Sequence, residues 1–266
     1  MTKKKEVDLH NSFSPSEEIS DPDNFAGRRN NIAQAIKALA RPGTSILVFG
    51  ERGVGKTSFV EMIKLLALGQ VELIFRYKFD FLAPNEGFRY KVISVECDED
   101  VDNTEKVLHR LITSPEGISG LIEPQISKIE TTVKESYALN LFKKVIDFKS
   151  DSEEKITKEE IKEMSVYELF TNLIVLISKK ILNPEEGLLI VIDEFDRVKE
   201  NSKLSSLIKT LSKSRVKFLI SGIAGSYFEL LEHHASIERQ LFQGKIKIEP
   251  MVPDEITNIL DLVEKK

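Results

Sequence analysis

The chain has 266 residues, of which 41% are hydrophobic and 30% charged, and its 38 basic against 43 acidic side chains give a formal charge of −5. This composition is typical of one soluble globular domain, or of one domain with an appendage, and the acidic balance argues against a chain-wide surface for nucleic acid. The single cysteine, Cys97, excludes an internal disulfide and a structural zinc site built from thiolates.

The beginning of the chain is polar. It lacks the apolar segment of a secretory signal, and the sequence contains no run of 18 apolar residues. We therefore expect a cytoplasmic protein without a membrane-spanning segment. The turn signals Ser14-Pro15 and Asp21-Pro22 predict an extended arm over residues 1–22, followed by a core over residues 23–250.

Short apolar runs alternate with helical patterns along this core. Continuous apolar runs are typical of strands that helices cover on both faces, and the alternation of Ile246 and Ile248 with charged residues is typical of an edge strand. The sequence thus predicts an α/β fold of three layers, in which helices cover both faces of a mainly parallel sheet of five core strands. The predicted strands lie at 46–49, 92–95, 188–192, 218–220 and 246–248, and the predicted helices at 28–39, 57–68, 104–112, 166–182 and 203–211.

Three segments complicate this alternation. The stretch at about 114–164 is too long for a normal connection and carries a charge run, so we predict a mostly helical insertion at the periphery. Aromatic residues at every second position between 75 and 81 favour a strand or hairpin. Lysines and arginines surround an apolar stripe over 202–217, which indicates a solvated face over the core, with a nucleic-acid-facing helix as the alternative.

A glycine-rich loop follows the first apolar run. Residues 50–57 match the pattern G-x-x-x-x-G-K-[ST] at every fixed position, between a predicted strand and a predicted helix. In such a loop, backbone N–H groups and the positive end of the helix bind phosphates. Lys56 is expected to reach the β- and γ-phosphates and Thr57 to hold Mg²⁺, while Ser58 is a weaker candidate for the α-phosphate. The predicted nucleotide-binding residues are Gly50, Glu51, Arg52, Gly53, Val54, Gly55, Lys56, Thr57 and Ser58.

Two adjacent carboxylates, Asp193 and Glu194, end the apolar run at 188–192. Ligands of open α/β sheets bind at the carboxyl ends of the strands, where these residues are predicted to lie. We assign Asp193 to Mg²⁺ and Glu194 to the positioning or deprotonation of an attacking water. Such a pair favours hydrolysis over phosphoryl transfer to a small molecule. ATP is the expected nucleotide, since the guanine-reading motif N-K-x-D is absent from the sequence.

Together these residues resemble the AAA+ and STAND P-loop ATPases, most closely the origin-recognition branch and its bacterial relatives in defence and transposition. The resemblance covers about residues 12–265 and includes Phe13-Ser14-Pro15. It also includes Phe25, Gly27 and Arg28, which are similar to the F-x-G-R element of that family. This element implies that the three residues lie near the adenine.

The resemblance implies two further residues in the site. Ser221, after the run 218–220, occupies the place of a polar residue that contacts the γ-phosphate or the attacking water; the alternative is an ordinary serine at a turn. Arg239 looks like an arginine finger supplied to a neighbouring subunit, and the alternative is a surface arginine paired with Glu232 or Glu238. The finger implies a homo-oligomer.

In that family a helical lid follows the core. Here residues 251–266 contain one amphipathic helix, so we expect only the start of a lid, in a chain that is truncated or nearly lacks it. The function expected is Mg²⁺-dependent ATP hydrolysis that drives a conformational or oligomerisation switch, with a protein partner or effector domain, in a bacterial defence complex. The alternatives are a DNA-loading or transposition ATPase, although the basic balance does not indicate nucleic acid, and a nucleotide-gated interaction module with little turnover.

Overall fold

The computed structural model describes residues 18–122, 164–199, 202–212, 215–223, 225 and 243–264. Its centre is a sheet of five strands in the order β2-β3-β4-β1-β5, and all neighbouring pairs are parallel. The predicted fold class is thus confirmed. The strands are β1 (Ile46–Gly50), β2 (Tyr90–Glu96), β3 (Gly187–Asp193), β4 (Val216–Gly222) and β5 (Lys245–Ile248).

Burial explains why the strands were visible in the sequence. Every residue of β1, β3 and β4 is buried, because these strands lie inside the sheet and helices pack on both of its faces. In β5, Ile246 and Ile248 are buried while Lys247 is exposed. This alternation is the expected pattern of an edge strand.

The helices form two layers. One layer contributes α1, α2 and α3, whose buried residues include Ile32 and Phe59, and the other contributes α4 to α7, whose buried residues include Leu108 and Phe170. A helix α8 follows β5. The bounds are α1 (Arg29–Ala40), α2 (Lys56–Ala67), α3 (Glu72–Tyr77), α4 (Thr104–Thr113), α5 (Ile118–Ile122), α6 (Val166–Leu176), α7 (Ser202–Leu211) and α8 (Pro253–Glu264).

Local capping fixes where several helices begin. The Asn103 side chain accepts a hydrogen bond of 3.0 Å from the N–H of Lys106, at the start of α4. Ser165 and Glu168 form a reciprocal capping box at the start of α6. After Leu176 the helix continues as a π-helical segment, Ile177–Ile181. The predicted helix over 166–182 is thus confirmed, with a last turn that is π-helical and not α-helical.

The aromatic stripe at 75–81 is not a strand, and that prediction was wrong. Its first part belongs to α3, which buries Leu73 and Ile74, and Lys78 ends the helix with a left-handed φ of 57°. A 3₁₀ turn, Asp80–Leu82, follows, and Phe81 on it is 76% exposed. The alternation of aromatic and polar residues therefore does not correspond to two faces of a strand.

The beginning of the predicted insertion packs on the core. The backbone N–H of Ser94 in the edge strand β2 donates a hydrogen bond of 2.8 Å to the carbonyl of Glu116, and α5 buries Ile118 and Ile122. The remainder of the predicted insertion, residues 123–163, lies outside the described residues, as do residues 1–17 of the predicted arm. Within the described part of the chain, no helix has the length and apolarity needed to cross a membrane.

The prediction that residues 202–217 form a solvated basic face is wrong for Lys217. Its side chain is only 3% exposed at the start of β4, and its ammonium donates hydrogen bonds to the carbonyls of Ala38, Arg41 and Thr44. These carbonyls lie at and just beyond the C-terminal end of α1, where the helix leaves acceptors without an internal partner. Arg215 similarly donates to the carbonyls of Ser178, Asn183 and Glu186. Lys217 is therefore part of the packed structure.

Cys97 follows β2 and is fully buried, and its backbone N–H donates a hydrogen bond of 3.0 Å to the carbonyl of Asp193. Burial raises the pKa of its thiol to about 12. We expect a disulfide reagent to modify native Cys97 at least about a hundredfold more slowly than the unfolded chain, since both access and thiolate are lacking. The measurement is thiol release with and without denaturant; rapid modification of the native protein would contradict this burial.

Candidate nucleotide-binding site

The glycine-rich loop connects β1 to α2 at the carboxyl edge of the sheet. Gly53 and Gly55 adopt left-handed φ values of 77° and 87°, which side chains disfavour. A Cβ on Gly50 would collide with the carbonyl oxygen of Ile248 in the neighbouring strand β5. The loop therefore needs glycine at these positions, and its path directs the N-terminal end of α2 toward a cavity.

This cavity has a volume of about 390 Å³, and both predicted motifs, the phosphate loop and the acidic pair, line it. The loop and the start of α2 form one wall, and the acidic residues that follow β3 form the other. Its lining residues are Glu18, Arg52, Gly53, Gly55, Lys56, Thr57, Ser58, Asp193, Glu194, Asp196 and Arg197. The structure thus places Lys56, Thr57, Asp193 and Glu194 around one space, as their proposed roles require.

Lys56 lies at the first turn of α2 and folds back over its own loop. Its ammonium donates hydrogen bonds of 3.2 Å to the carbonyl of Gly50 and 2.8 Å to that of Glu51. Both acceptors are neutral backbone groups, and a charged phosphate oxygen is a stronger partner for an ammonium. Lys56 can therefore exchange these carbonyls for phosphate.

Asp193, Glu194 and Ser221 form a hydrogen-bonded group at the ends of β3 and β4. Strand β4 lies between β1 and β3, which places Ser221 between the phosphate loop and the acidic pair. The buried Ser221 hydroxyl donates to Oδ1 of Asp193, which also accepts the N–H of Glu194 at 2.8 Å. Asp193 is 7% exposed. Its position is therefore fixed by two donors, and among the described residues no donor is bonded to its second oxygen, Oδ2.

Glu194 begins a 3₁₀ turn, Phe195–Arg197, with a left-handed φ of 51°. The residue lines the cavity. There Oε2 of Glu194 accepts a hydrogen bond from Nε of Arg197. Asp196, on the same turn, pairs with Arg52 of the phosphate loop at 3.4 Å. Asp196 and Arg197 both line the cavity, although neither belongs to a motif that would indicate this in the sequence.

Glu18 is a third residue of the cavity that the sequence did not indicate. It precedes Ile19, whose N–H donates a hydrogen bond of 3.1 Å to the Ser58 hydroxyl at the start of α2. Burial and the nearby carboxylates of Glu96 and Asp193 raise the pKa of Glu18. Since it lies in the predicted extended arm and belongs to no motif, no sequence signal could have identified it.

Comparison with known proteins identifies the family. Residues 25–222 match the model of the KAP family P-loop domain, which covers most of the chain. The chain belongs to the KAP family of P-loop NTPases. Comparison with curated protein sequences gave no match.

A solved structure supports the fold of this KAP domain. The chain is similar to the Walker-type ATPase paby2304 of Pyrococcus abyssi, with 15% sequence identity and a TM-score of 0.51 over 92% of this chain. The chain spans 60% of the length of that protein. At this identity the likeness supports the P-loop NTPase fold alone.

In the KAP domain, Arg28 contacts the phosphate loop, and Phe25 contacts the helix α2 that follows this loop. The Phe25 ring packs 6.4 Å from that of Phe59 in α2. The Arg28 guanidinium, on a residue only 4% exposed, donates to the carbonyl of Val54 at 2.7 Å and to that of Glu249. Arg28 thus connects the phosphate loop to the end of β5, and contact of these residues with adenine stays a prediction.

Glu255 of α8 extends this connection. Its Oε1 accepts the backbone N–H of Arg28 at 2.7 Å, and Gly27, with φ of 68°, packs against its side chain. The expected helix after the core is therefore present and is in contact with the F-x-G-R residues. Arg239, the predicted finger, and Phe13-Ser14-Pro15 lie outside the described residues.

Proposed function

We propose that this KAP domain is a Mg²⁺-dependent ATPase whose binding and hydrolysis of ATP switch an assembly between two states. One observation carries the proposal: the phosphate loop and the Asp193–Glu194 pair line one cavity, with Ser221 hydrogen-bonded to Asp193 between them. A phosphate-binding loop facing a carboxylate pair is an arrangement suited to hydrolysis, because one wall binds the phosphates and the other can hold a water.

The side chains present fit Mg²⁺. The Thr57 hydroxyl and the Asp193 carboxylate line the same cavity, and both offer the hard oxygen donors that Mg²⁺ prefers. Bound there with the nucleotide, the ion would neutralise charge that develops on the phosphates. Among the described residues no cluster of three or more histidine, cysteine or acidic side chains could hold a metal by itself. The site therefore suits an ion that arrives with nucleotide phosphates and water as further ligands.

The chain's own residues have separate roles in the reaction. Lys56 binds the phosphate oxygens, and backbone N–H groups of the loop orient them. Glu194 accepts a proton from the attacking water, and Ser221, bonded to Asp193, contacts the water or the γ-phosphate. Because the Ser221 hydroxyl and the Glu194 N–H share Asp193 Oδ1, a change at the phosphate can be transmitted to the acidic loop.

The switch and the assembly are supported by sequence resemblance. The similarity to the AAA+ and STAND ATPases, and to their origin-recognition and bacterial defence relatives, favours a homo-oligomer in which Arg239 completes a neighbour's site, together with a protein partner or effector. Defence is the biological setting that this resemblance favours. If the site is shared between subunits, the ATP turnover per subunit depends on protein concentration.

ATP turnover per subunit is expected to rise with protein concentration and to fall at least about tenfold in Arg239→Ala, since an arginine acting in trans requires assembly. The measurement is phosphate release in Mg²⁺ across a hundredfold range of concentration, with EDTA as the blank. Arg89→Gln is the matched control, because Arg89 pairs with Glu86 and Glu185 at the opposite edge of the sheet. A constant specific rate that Arg239→Ala does not change would contradict the trans role, and tight ATP binding without turnover would contradict the ATPase.

A further inference from the structure

The pair of Glu194 and Arg197 presents a chemical conflict. A carboxylate acts as a general base by accepting a proton, yet Oε2 of Glu194 already accepts a hydrogen bond from the Arg197 guanidinium. The 3₁₀ turn holds the two residues together, because the N–H of Arg197 donates to the carbonyl of Glu194 at 3.0 Å. A guanidinium bonded to this oxygen occupies the site with which the carboxylate would contact an attacking water.

The same guanidinium faces the place where anionic phosphates are expected. Arg197 lines the cavity with Lys56 and Thr57, and its side chain is 43% exposed, so it has room to change rotamer. Within the described part of the chain, Nε is the only nitrogen of this guanidinium for which the structure gives an acceptor. Both Nη groups can therefore bind phosphate oxygens through the planar fork of arginine.

Arg52, the other arginine of the cavity, is a weaker candidate for this contact. Its side chain is 83% exposed, and its distance of 3.4 Å to Asp196 makes a loose pair. It also lies on the phosphate loop itself, so it would contact bound di- and triphosphates alike. Arg197 instead lies on the acidic wall beside Glu194, where a γ-phosphate adds charge that a diphosphate lacks.

We propose that Arg197 is a cis-acting triphosphate-binding residue that exchanges Glu194 for the γ-phosphate. Without a triphosphate it binds Glu194; with one, it binds a γ-phosphate oxygen and releases the carboxylate. The released Glu194 takes a proton from water as the water oxygen attacks phosphorus. The bond from phosphorus to the bridging oxygen breaks, and its electron pair stays on the diphosphate. This proposal rests on the proposed ATPase function.

The exchange predicts a selective effect on affinity. In Arg197→Gln, affinity for the non-hydrolysable triphosphate AMP-PNP should fall about tenfold or more, since a charge-assisted contact is lost, while ADP affinity stays within about twofold. In Glu194→Gln, AMP-PNP should bind several-fold more tightly, because the carboxylate no longer competes for Arg197. In the double variant this gain should vanish, so that the two effects are not additive.

The measurement is calorimetric or fluorescence titration of both nucleotides with Mg²⁺ for the wild type, the two single variants and the double variant. Arg197→Lys should recover part of the AMP-PNP affinity, because it keeps the charge but lacks the fork. Arg89→Gln is the control for loss of a surface ion pair, and thermal melting verifies that each variant is folded.

Three results would overturn the exchange: equal weakening of ADP and AMP-PNP in Arg197→Gln, faster hydrolysis in that variant with unchanged affinity, or additive effects in the double variant. The second of these results would mean that Arg197 only slows the reaction at Glu194 and does not bind the γ-phosphate. If the wild type binds neither nucleotide, the proposed ATPase function itself fails. If the wild type binds both nucleotides, each of these three results rejects the exchange alone.

Discussion

Glu194→Gln is expected to lower ATP turnover by roughly a thousandfold, within the range found for loss of a general base, while ATP stays bound. The amide keeps the size and the backbone of Glu194, including its left-handed φ of 51°, so the cavity should keep its shape. What is lost is the proton-accepting oxygen. A variant that binds ATP but cannot hydrolyse it is the expected outcome.

Single-turnover hydrolysis of radiolabelled ATP, together with nucleotide retention after gel filtration, measures both effects. Glu185→Gln is the matched control, since Glu185 is an exposed glutamate that pairs with Arg89 at the other edge of the sheet. Wild-type turnover in Glu194→Gln would refute the role of Glu194 as base. Glu18 would then be the next candidate, because it lines the same cavity and its pKa is raised.

Lys217→Met is expected to destabilise the domain by about 3 kcal/mol at pH 7, because the carbonyls of Ala38, Arg41 and Thr44 lose their hydrogen-bond donor, and two of these three bonds are buried. Methionine has nearly the same length, so packing changes little. Denaturant unfolding of both proteins measures the difference. Lys209→Met on the exposed face of α7 is the control and should change stability by less than about 0.5 kcal/mol.

The loss in Lys217→Met should also depend on pH. Burial lowers the pKa of Lys217 from 10.5 to about 8 in the folded state. Between pH 8 and pH 10.5 the unfolded chain binds more protons at Lys217 than the folded chain does, so the free energy of unfolding of the wild type rises with pH. The variant has no titrating group at this position and lacks this rise. The gap between wild type and variant should therefore widen by about 2 kcal/mol from pH 7 to pH 10. A constant or shrinking gap would mean that the three carbonyls stabilise the ammonium more than burial disfavours it.

The strands could be predicted because burial leaves a strong pattern in the sequence. A strand covered on both faces, such as β3, must be apolar at nearly every position, and that run is visible without a structure. The order of the strands is not visible, since it depends on which helix crosses which face. The stripe at 75–81 misled because φ of 57° at Lys78 redirects the chain, and local spacing does not report such a turn.

Some residues of the candidate site could likewise be predicted from the sequence, and others could not. Lys56, Thr57, Asp193 and Glu194 could be predicted, because their chemistry requires fixed spacing within a loop or at the end of a strand. Glu18 could not be predicted, since its proximity to Asp193 arises only from folding. The partnership of Glu194 with Arg197 had a signal in their spacing of three residues, but several acceptors were near and only the fold selects one.

The contacts of Arg28 indicate how long the folding unit is. The family match ends at residue 222, yet Arg28 donates to the carbonyl of Glu249, and Glu255 accepts its N–H. β5 also supplies the outer neighbour of β1, the strand that leads into the phosphate loop. A fragment cut at the family boundary would leave the buried Arg28 guanidinium with only the Val54 carbonyl as acceptor, and would uncover the edge of β1 beside the nucleotide cavity. The segment up to Glu255, which lies beyond the part of the chain by which the family is recognised, therefore belongs to the same packed unit.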